Sequence, residues 1–321
     1  MKQLFTSKIK FVITLNIILL ACTGFLFSSS DSGNDDEIKS LHVDTETVLP
    51  ASFAGIQPNI IQDSARSLSG FFEKLMMIRD IKNLEKPVVR IVHIGDSHVR
   101  SHEFTPAFNF RLTEIFGNAA TKFIEGYKNA GIVEENGLPG VICHCIGING
   151  ATSKNFLNDK YIYEINKLNP DLIIISLGTN EGLGRYDSIY HYNMMENLFS
   201  LLKNHCPQAT ILYTTPPGAF KTTYSRARRR RNRKIISVTE NKSTKNVAST
   251  IVQFAADHNA ACWDLFNIVG GEQNACKNWQ NGNYYQKDKL HFIIDGYILQ
   301  GNLLYEALIA GYNEYVLKNY E

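Results

Sequence analysis

Apolar positions along the chain recur with two different periods. Leu68, Phe71, Phe72, Leu75, Met76 and Ile78 fall near helical spacing and predict an amphipathic helix. Val88–Ile94 is a β-branched run that reads as a buried strand, and Phe104–Phe116 reads as a helix. Val141–Ile146 predicts a second strand and Asp171–Leu177 a third, with the unbroken Ile173-Ile174-Ile175 at its centre. Further on, Ile189–Leu202 predicts a helix and Ala209–Thr214 a fourth strand closed by Pro216-Pro217. Val247–His258 reads as a helix, Ala261–Leu265 as a short fifth strand and Gly296–Tyr315 as a last helix. No internal repeat is evident. Alternating helices and strongly apolar strands imply an α/β fold, a parallel sheet covered on both faces. In such sheets functional groups collect at the carboxyl ends of the strands.

The first thirty residues follow a different pattern. Lys2, Lys8 and Lys10 precede an apolar stretch from Phe11 to Phe27, and a polar tract from Ser28 to Glu37 follows it. A basic start and an apolar segment read as an export signal or anchor over residues 1–30. A buried core helix seldom runs into such a solvated tract. Leu19-Leu20-Ala21-Cys22 resembles a loose lipoprotein box, while cleavage after Ser30 or an uncleaved anchor fits as well. A stretch of ~17 apolar residues is near the lower limit for spanning a bilayer. The expected location is the periplasm or cell envelope. Residues 31–60 read as a polar linker and 61–321 as the folded domain.

Composition adds little: 44% hydrophobic and 20% charged residues are ordinary for a globular chain, and a net charge of +2 selects no partner. Of six cysteines, Cys22 lies in the signal region. Cys143, Cys145, Cys206, Cys262 and Cys276 show no zinc-ligand spacing, so no metal is expected. Cys143 and Cys145 would share one face of a strand and read as small core residues, with a disulfide left open.

The strand ends carry the candidate chemistry. Gly95-Asp96-Ser97-His98 follows the first strand, Gly147-Ile148-Asn149-Gly150 the second and Gly178-Thr179-Asn180-Glu181 the third. Asp288-Lys289-Leu290-His291 stands just before the last helix. Each motif alone is ordinary turn or cap chemistry. Three polar motifs on consecutive strand ends, followed by an Asp-x-x-His, are not well explained by chance. A serine hydroxyl becomes a competent nucleophile when an imidazole takes its proton. Ser97 would be that nucleophile, His291 the general base and then acid, and Asp288 the group that fixes the imidazole tautomer. The backbone N–H groups of Ser97 and Gly150 and the Asn180 side-chain amide would form an oxyanion hole.

Ser97, Gly150, Asn180 and His291 match, block by block, the residues that name the SGNH (GDSL-like) hydrolases, and the chain resembles that superfamily from about Val88 to about Tyr315. The resemblance implies a three-layer α/β/α sandwich with a flavodoxin-like parallel sheet of about five strands, and no cofactor. Gly-Asp-Ser-His, Cys262-Trp263-Asp264-Leu265-Phe266 and Lys287-Asp288-Lys289-Leu290-His291-Phe292 are similar to the peptidoglycan O-acetylesterase branch. There are two departures: Glu181 stands where the superfamily usually has Asp, and His98 where it usually has Leu.

The expected activity is therefore removal of small acyl groups, acetyl first, from an envelope or extracellular glycan, with peptidoglycan ahead of acetylated xylan or other polysaccharide. Acyl transfer by the same triad is the competing enzyme class, and a glycan-binding module on the same fold is the non-enzyme class. The Arg-rich run from Ser225 to Lys234 reads as a solvated loop or helix edge that attracts anionic glycan or peptide carboxylates, not nucleic acid. Trp279, Tyr284 and Tyr285 could stack on sugar rings, although packing is the commoner fate of such aromatics. His93 is expected in the core.

Overall fold

In a computed structural model of the chain, residues 39–101, 103–127, 130–226 and 234–320 are described. The export segment expected over residues 1–30 lies outside them. The first part of the domain runs β1 (Ile61–Gln62), α1 (Ser69–Arg79), β2 (Val88–Gly95), α2 (Ser97–Arg100), α3 (Phe104–Phe116), β3 (Ala120–Tyr127), β4 (Ala130–Glu135) and β5 (Gly140–Gly147). A 3₁₀ turn (Ser153–Leu157) leads to α4 (Asp159–Lys167), β6 (Leu172–Ser176), α5 (Thr179–Leu183), α6 (Ser188–His205) and β7 (Thr210–Thr214). Then follow β8 (Phe220–Arg226), β9 (Lys234–Glu240), α7 (Ser243–Asp257), β10 (Ala261–Trp263), α8 (Leu265–Ile268), α9 (Gly271–Asn281) and α10 (Ile294–Tyr320).

All five expected strands are present, and they pair in parallel in the order β10-β7-β6-β2-β5. Numbered by their appearance in the chain, that is 5-4-3-1-2, the flavodoxin-like order, whose switch point lies between β2 and β6. Alternate side chains divide between two cores. Val89 and Ile91 of β2, Leu172 and Ile174 of β6 and Leu212 of β7 pack with α1, α3 and α10. Val92 and Ile94, Ile173 and Ile175, and Ile211 and Tyr213 pack with α4, α6 and α7. Two faces buried by helices explain why these strands are predominantly apolar, with few polar positions between the aliphatic ones.

Several elements were not expected. Antiparallel β4 and β3 extend the sheet beyond β5, and β1 pairs antiparallel with β10 at the other edge. The linker reading of residues 31–60 needs correction over its described part. Leu41, Val43 and Phe53 are buried in the core, and Val43 exchanges both backbone bonds with the side chain of Asn313 on α10. Three spaced apolar residues are enough to pin a polar segment where helices leave a groove for it. The Arg-rich run is also corrected at its flanks. β8 and β9 form an antiparallel hairpin, in register from Phe220↔Glu240 to Arg226↔Lys234, and neither a loop nor a helix edge. Residues 227–233 of the run lie outside the described residues. Cys143, Cys145, Cys206, Cys262 and Cys276 are all free and buried.

Candidate active site

Ser97, Gly150 and Asn180 follow β2, β5 and β6, three adjacent strands that straddle the switch point. At that point the crossovers leave in opposite directions and open a crevice above the strand ends. β2 ends at Gly95, Asp96 caps the short α2, and its carboxylate accepts the His98 N–H at 2.9 Å. Ser97 therefore stands in the first turn, facing the crevice. Gly147 makes room for this turn: a Cβ there would come within 2.3 Å of the Arg100 backbone nitrogen. Gly150 holds φ at +71° and would meet nothing within 4 Å if a Cβ were added, so its backbone is open to a ligand.

The Asp288–His291 loop comes to Ser97 from far along the chain. His291 Nε2 lies 3.0 Å from Ser97 Oγ, and His291 Nδ1 lies 2.7 Å from Asp288 Oδ2. The other carboxylate oxygen, Oδ1, accepts the backbone N–H groups of Leu290 (3.0 Å) and His291 (2.9 Å). Partial burial works to raise the Asp288 pKa, but these bonds outweigh it and hold the carboxyl below its usual range. An ionised Asp288 keeps the Nδ1 proton in place, which leaves Nε2 free to accept from the serine. The loop is fastened by Gln286 N–H to His291 C=O (2.8 Å), and Lys289 C=O accepts from Phe220 N–H at the root of the β8–β9 hairpin (3.0 Å).

Beneath this relay the side chains are buried. His98 is buried, its Nδ1 lies 3.1 Å from the Tyr297 hydroxyl, and its ring stands 5.6 Å from that of His291. Burial pushes its pKa down to about 3, with repulsion from His291 adding to the shift, so it forms a neutral wall. Asp96 is buried as well, and desolvation pushes its pKa up to about 7 against the opposing bond from His98.

Asn180 has a more constrained position than its sequence motif conveys. Its Nδ2 donates to Asp96 Oδ2 at 3.1 Å and to the Ala151 carbonyl at 3.0 Å, so both amide hydrogens are engaged within the protein. Of the residues the sequence points to, Ser97, His291 and Asp288 form one hydrogen-bonded relay, and Gly150 and Asn180 stand on the neighbouring strand-end loops, joined where Asn180 Nδ2 donates to the Ala151 carbonyl. The local pattern gives Asp96 as a cap, and its bond to Asn180, a partner 84 residues away, is one that no local pattern reveals. Trp279 is fully buried and cannot present a face to a sugar.

Residues 112–298, more than half of the chain, match the model of the GDSL-like Lipase/Acylhydrolase family. The chain belongs to that family. The match takes in Gly150, Asn180, Asp288 and His291 and begins after Ser97. As a GDSL-like acylhydrolase the protein is a carboxylic ester hydrolase. Among solved structures it is similar to a peptidoglycan O-acetylesterase, at 16% identity and a TM-score of 0.62 over 83% of this chain and 100% of that one. It also matches a lipase/acylhydrolase from Enterococcus faecalis, at 20% identity and a TM-score of 0.42 over 69% and 96% of the two chains. The psychrotrophic esterase EstA from Pseudoalteromonas sp. matches at 14% identity and a TM-score of 0.45 over 68% and 96%. No curated protein sequence matches.

Proposed function

We propose that this GDSL-like acylhydrolase is an exported serine esterase that removes O-acetyl groups from an envelope glycan, with peptidoglycan as the first candidate. The unbroken relay Ser97 Oγ–His291 Nε2, His291 Nδ1–Asp288 Oδ2 at the switch-point crevice carries the reading. Ser97 Oγ attacks the ester carbonyl carbon while its proton passes to His291 Nε2. The tetrahedral oxyanion is held by the N–H groups of Ser97 and Gly150, and by Asn180 once it exchanges one of its two internal acceptors for the new one. The carbon–oxygen bond to the sugar then breaks, and His291 returns the proton to the departing alkoxide. Water, deprotonated by His291, releases acetate from Ser97 by the same route in reverse.

The substrate reading is supported by the Gly-Asp-Ser-His form of the nucleophile motif and by the basic, apolar start of the chain, which suits a route to the envelope. The similarity in fold to a peptidoglycan O-acetylesterase agrees with it. The test is acetate release by the chain without residues 1–30 from O-acetylated peptidoglycan, acetylated xylan and p-nitrophenyl acetate. The expected outcome is release from peptidoglycan and the small ester, abolished by Ser97→Ala. Release from xylan alone would reassign the substrate, and release unaffected by Ser97→Ala would remove the mechanism.

A further inference from the structure

A buried carboxylate beside Asn180 has no part in the relay. Glu181 follows Asn180 and its side chain is only 9% exposed. Its two oxygens serve two different loops. Oε1 accepts the Ser153 N–H at 2.9 Å and faces the Ser153 hydroxyl at 3.3 Å, while Oε2 accepts the Gly178 N–H at 3.0 Å. Ser153 lies three residues after Gly150 on the β5 loop, and Gly178 lies two before Asn180 on the β6 loop. One side chain therefore ties together the two loops that carry Gly150 and Asn180.

The environment makes this an expensive residue to keep. Glu181 faces His191 Nε2 at 3.7 Å, but burial drives the His191 pKa down to about 4, so that ring brings no positive charge. Asp96 adds a second buried carboxyl nearby. A buried carboxylate without a cation is stabilised only by its hydrogen-bond donors, and here all of them come from the two loops. An aspartate, shorter by one methylene, would not span the same gap.

We propose that Glu181 is a positioning residue that fixes the Gly150 N–H and the Asn180 amide relative to each other as one oxyanion-binding unit. This rests on the esterase reading above. Glutamine in its place keeps an acceptor for one loop and turns an N–H₂ towards the other. Loss of a single oxyanion donor typically costs ~100- to ~1,000-fold in rate, and a misplaced pair should cost at least tenfold.

The experiment compares wild type, Glu181→Gln and Glu181→Asp by p-nitrophenyl acetate kinetics, methylboronic acid inhibition and amide hydrogen exchange. Methylboronic acid forms a tetrahedral adduct on Ser97 with an oxygen in the hole, so its Ki reports that geometry directly. The expected result in both variants is a kcat at least tenfold lower, KM within about twofold and a Ki raised in parallel with the loss of kcat/KM. Faster exchange at Ser153 and Gly178 together should accompany it. An unchanged Ki, or faster exchange with unchanged kcat, would overturn the proposal by showing the clamp to be purely structural. Wild-type turnover independent of Ser97 would instead bring down the esterase reading, and the exchange data would still show whether the clamp exists.

Discussion

At the level of single residues, the relay depends on a four-residue loop that satisfies itself. Asp288 Oδ1 takes two backbone N–H groups, which leaves Oδ2 aimed at His291 Nδ1. Lys289 accepts φ of +55° to make this turn, a left-handed conformation that a lysine adopts at some cost. The Asp-x-x-His spacing was readable because both partners lie within the same turn. Asp288→Asn would keep an acceptor for the backbone but would present an amide that can donate to Nδ1, favouring the wrong tautomer. In a buried triad this change lowers kcat by about 10,000-fold. Asp288 is about half exposed, so water can partly replace it, and a loss of roughly 100- to 10,000-fold is expected. Turnover of p-nitrophenyl acetate by Asp288→Asn checks this, and a loss under tenfold would show that Asp288 does not orient the base.

Whole elements were legible in proportion to how apolar they are. Phe104–Phe116 was read to the residue, and the five parallel strands to within one or two residues at most ends. α9 was missed because the face it buries is not aliphatic. Ala275, Asn278 and Trp279 keep the i, i+3, i+4 spacing, yet Asn278 is buried only because its amide bonds Ala54 and Val269 carbonyls at 2.9 Å. Trp279 closes this helix over the core below the catalytic loop. Its rings meet Phe292 at 5.0 Å and Phe53 at 5.3 Å, and its Nε1 donates to Pro217 C=O at 2.9 Å. Trp279→Ala should therefore lower unfolding free energy by ~3–5 kcal/mol in urea titrations. A stable variant with a raised KM for polymer would instead return this residue to the sugar-binding role that its burial denies.

Across the molecule, a buried polar chain holds the strand ends together. Thr105 on α3 bonds His93 Nδ1 (2.9 Å), His93 Nε2 reaches Ser176 Oγ on β6 (2.7 Å), and Thr214 on β7 donates to the same oxygen (2.8 Å). His93 lies in the core, as its position inside the first strand predicts. Burial pushes its pKa down to about 3, so the folded state refuses a proton that the unfolded chain takes up near pH 6.5. Its contribution is therefore complete above about pH 6.5 and is lost progressively as pH falls towards 3. Asp96 and Glu181, both raised to about 7 by burial, work in the opposite sense and gain stability as pH falls below 7. His93→Gln, which can still bridge Thr105 and Ser176, should flatten the loss of urea midpoint between pH 7 and pH 4.5. An identical pH dependence in variant and wild type would mean that His93 does not contribute to acid lability.

The sequence by itself determined the parallel sheet, the order of its strands along the chain and the polar groups at their ends. Those features are local, because a strand buried on both faces is mostly apolar and a turn between strand and helix needs its own residue types. Only the tertiary structure decided that Leu41, Val43 and Phe53 join the core, that β3 and β4 extend the sheet, and that Asn180 is held by Asp96 and Ala151. It alone revealed that Glu181 joins two loops. These depend on pairings between distant residues through polar groups, which leave no period in the chain and acquire their partners only when the strands lie side by side.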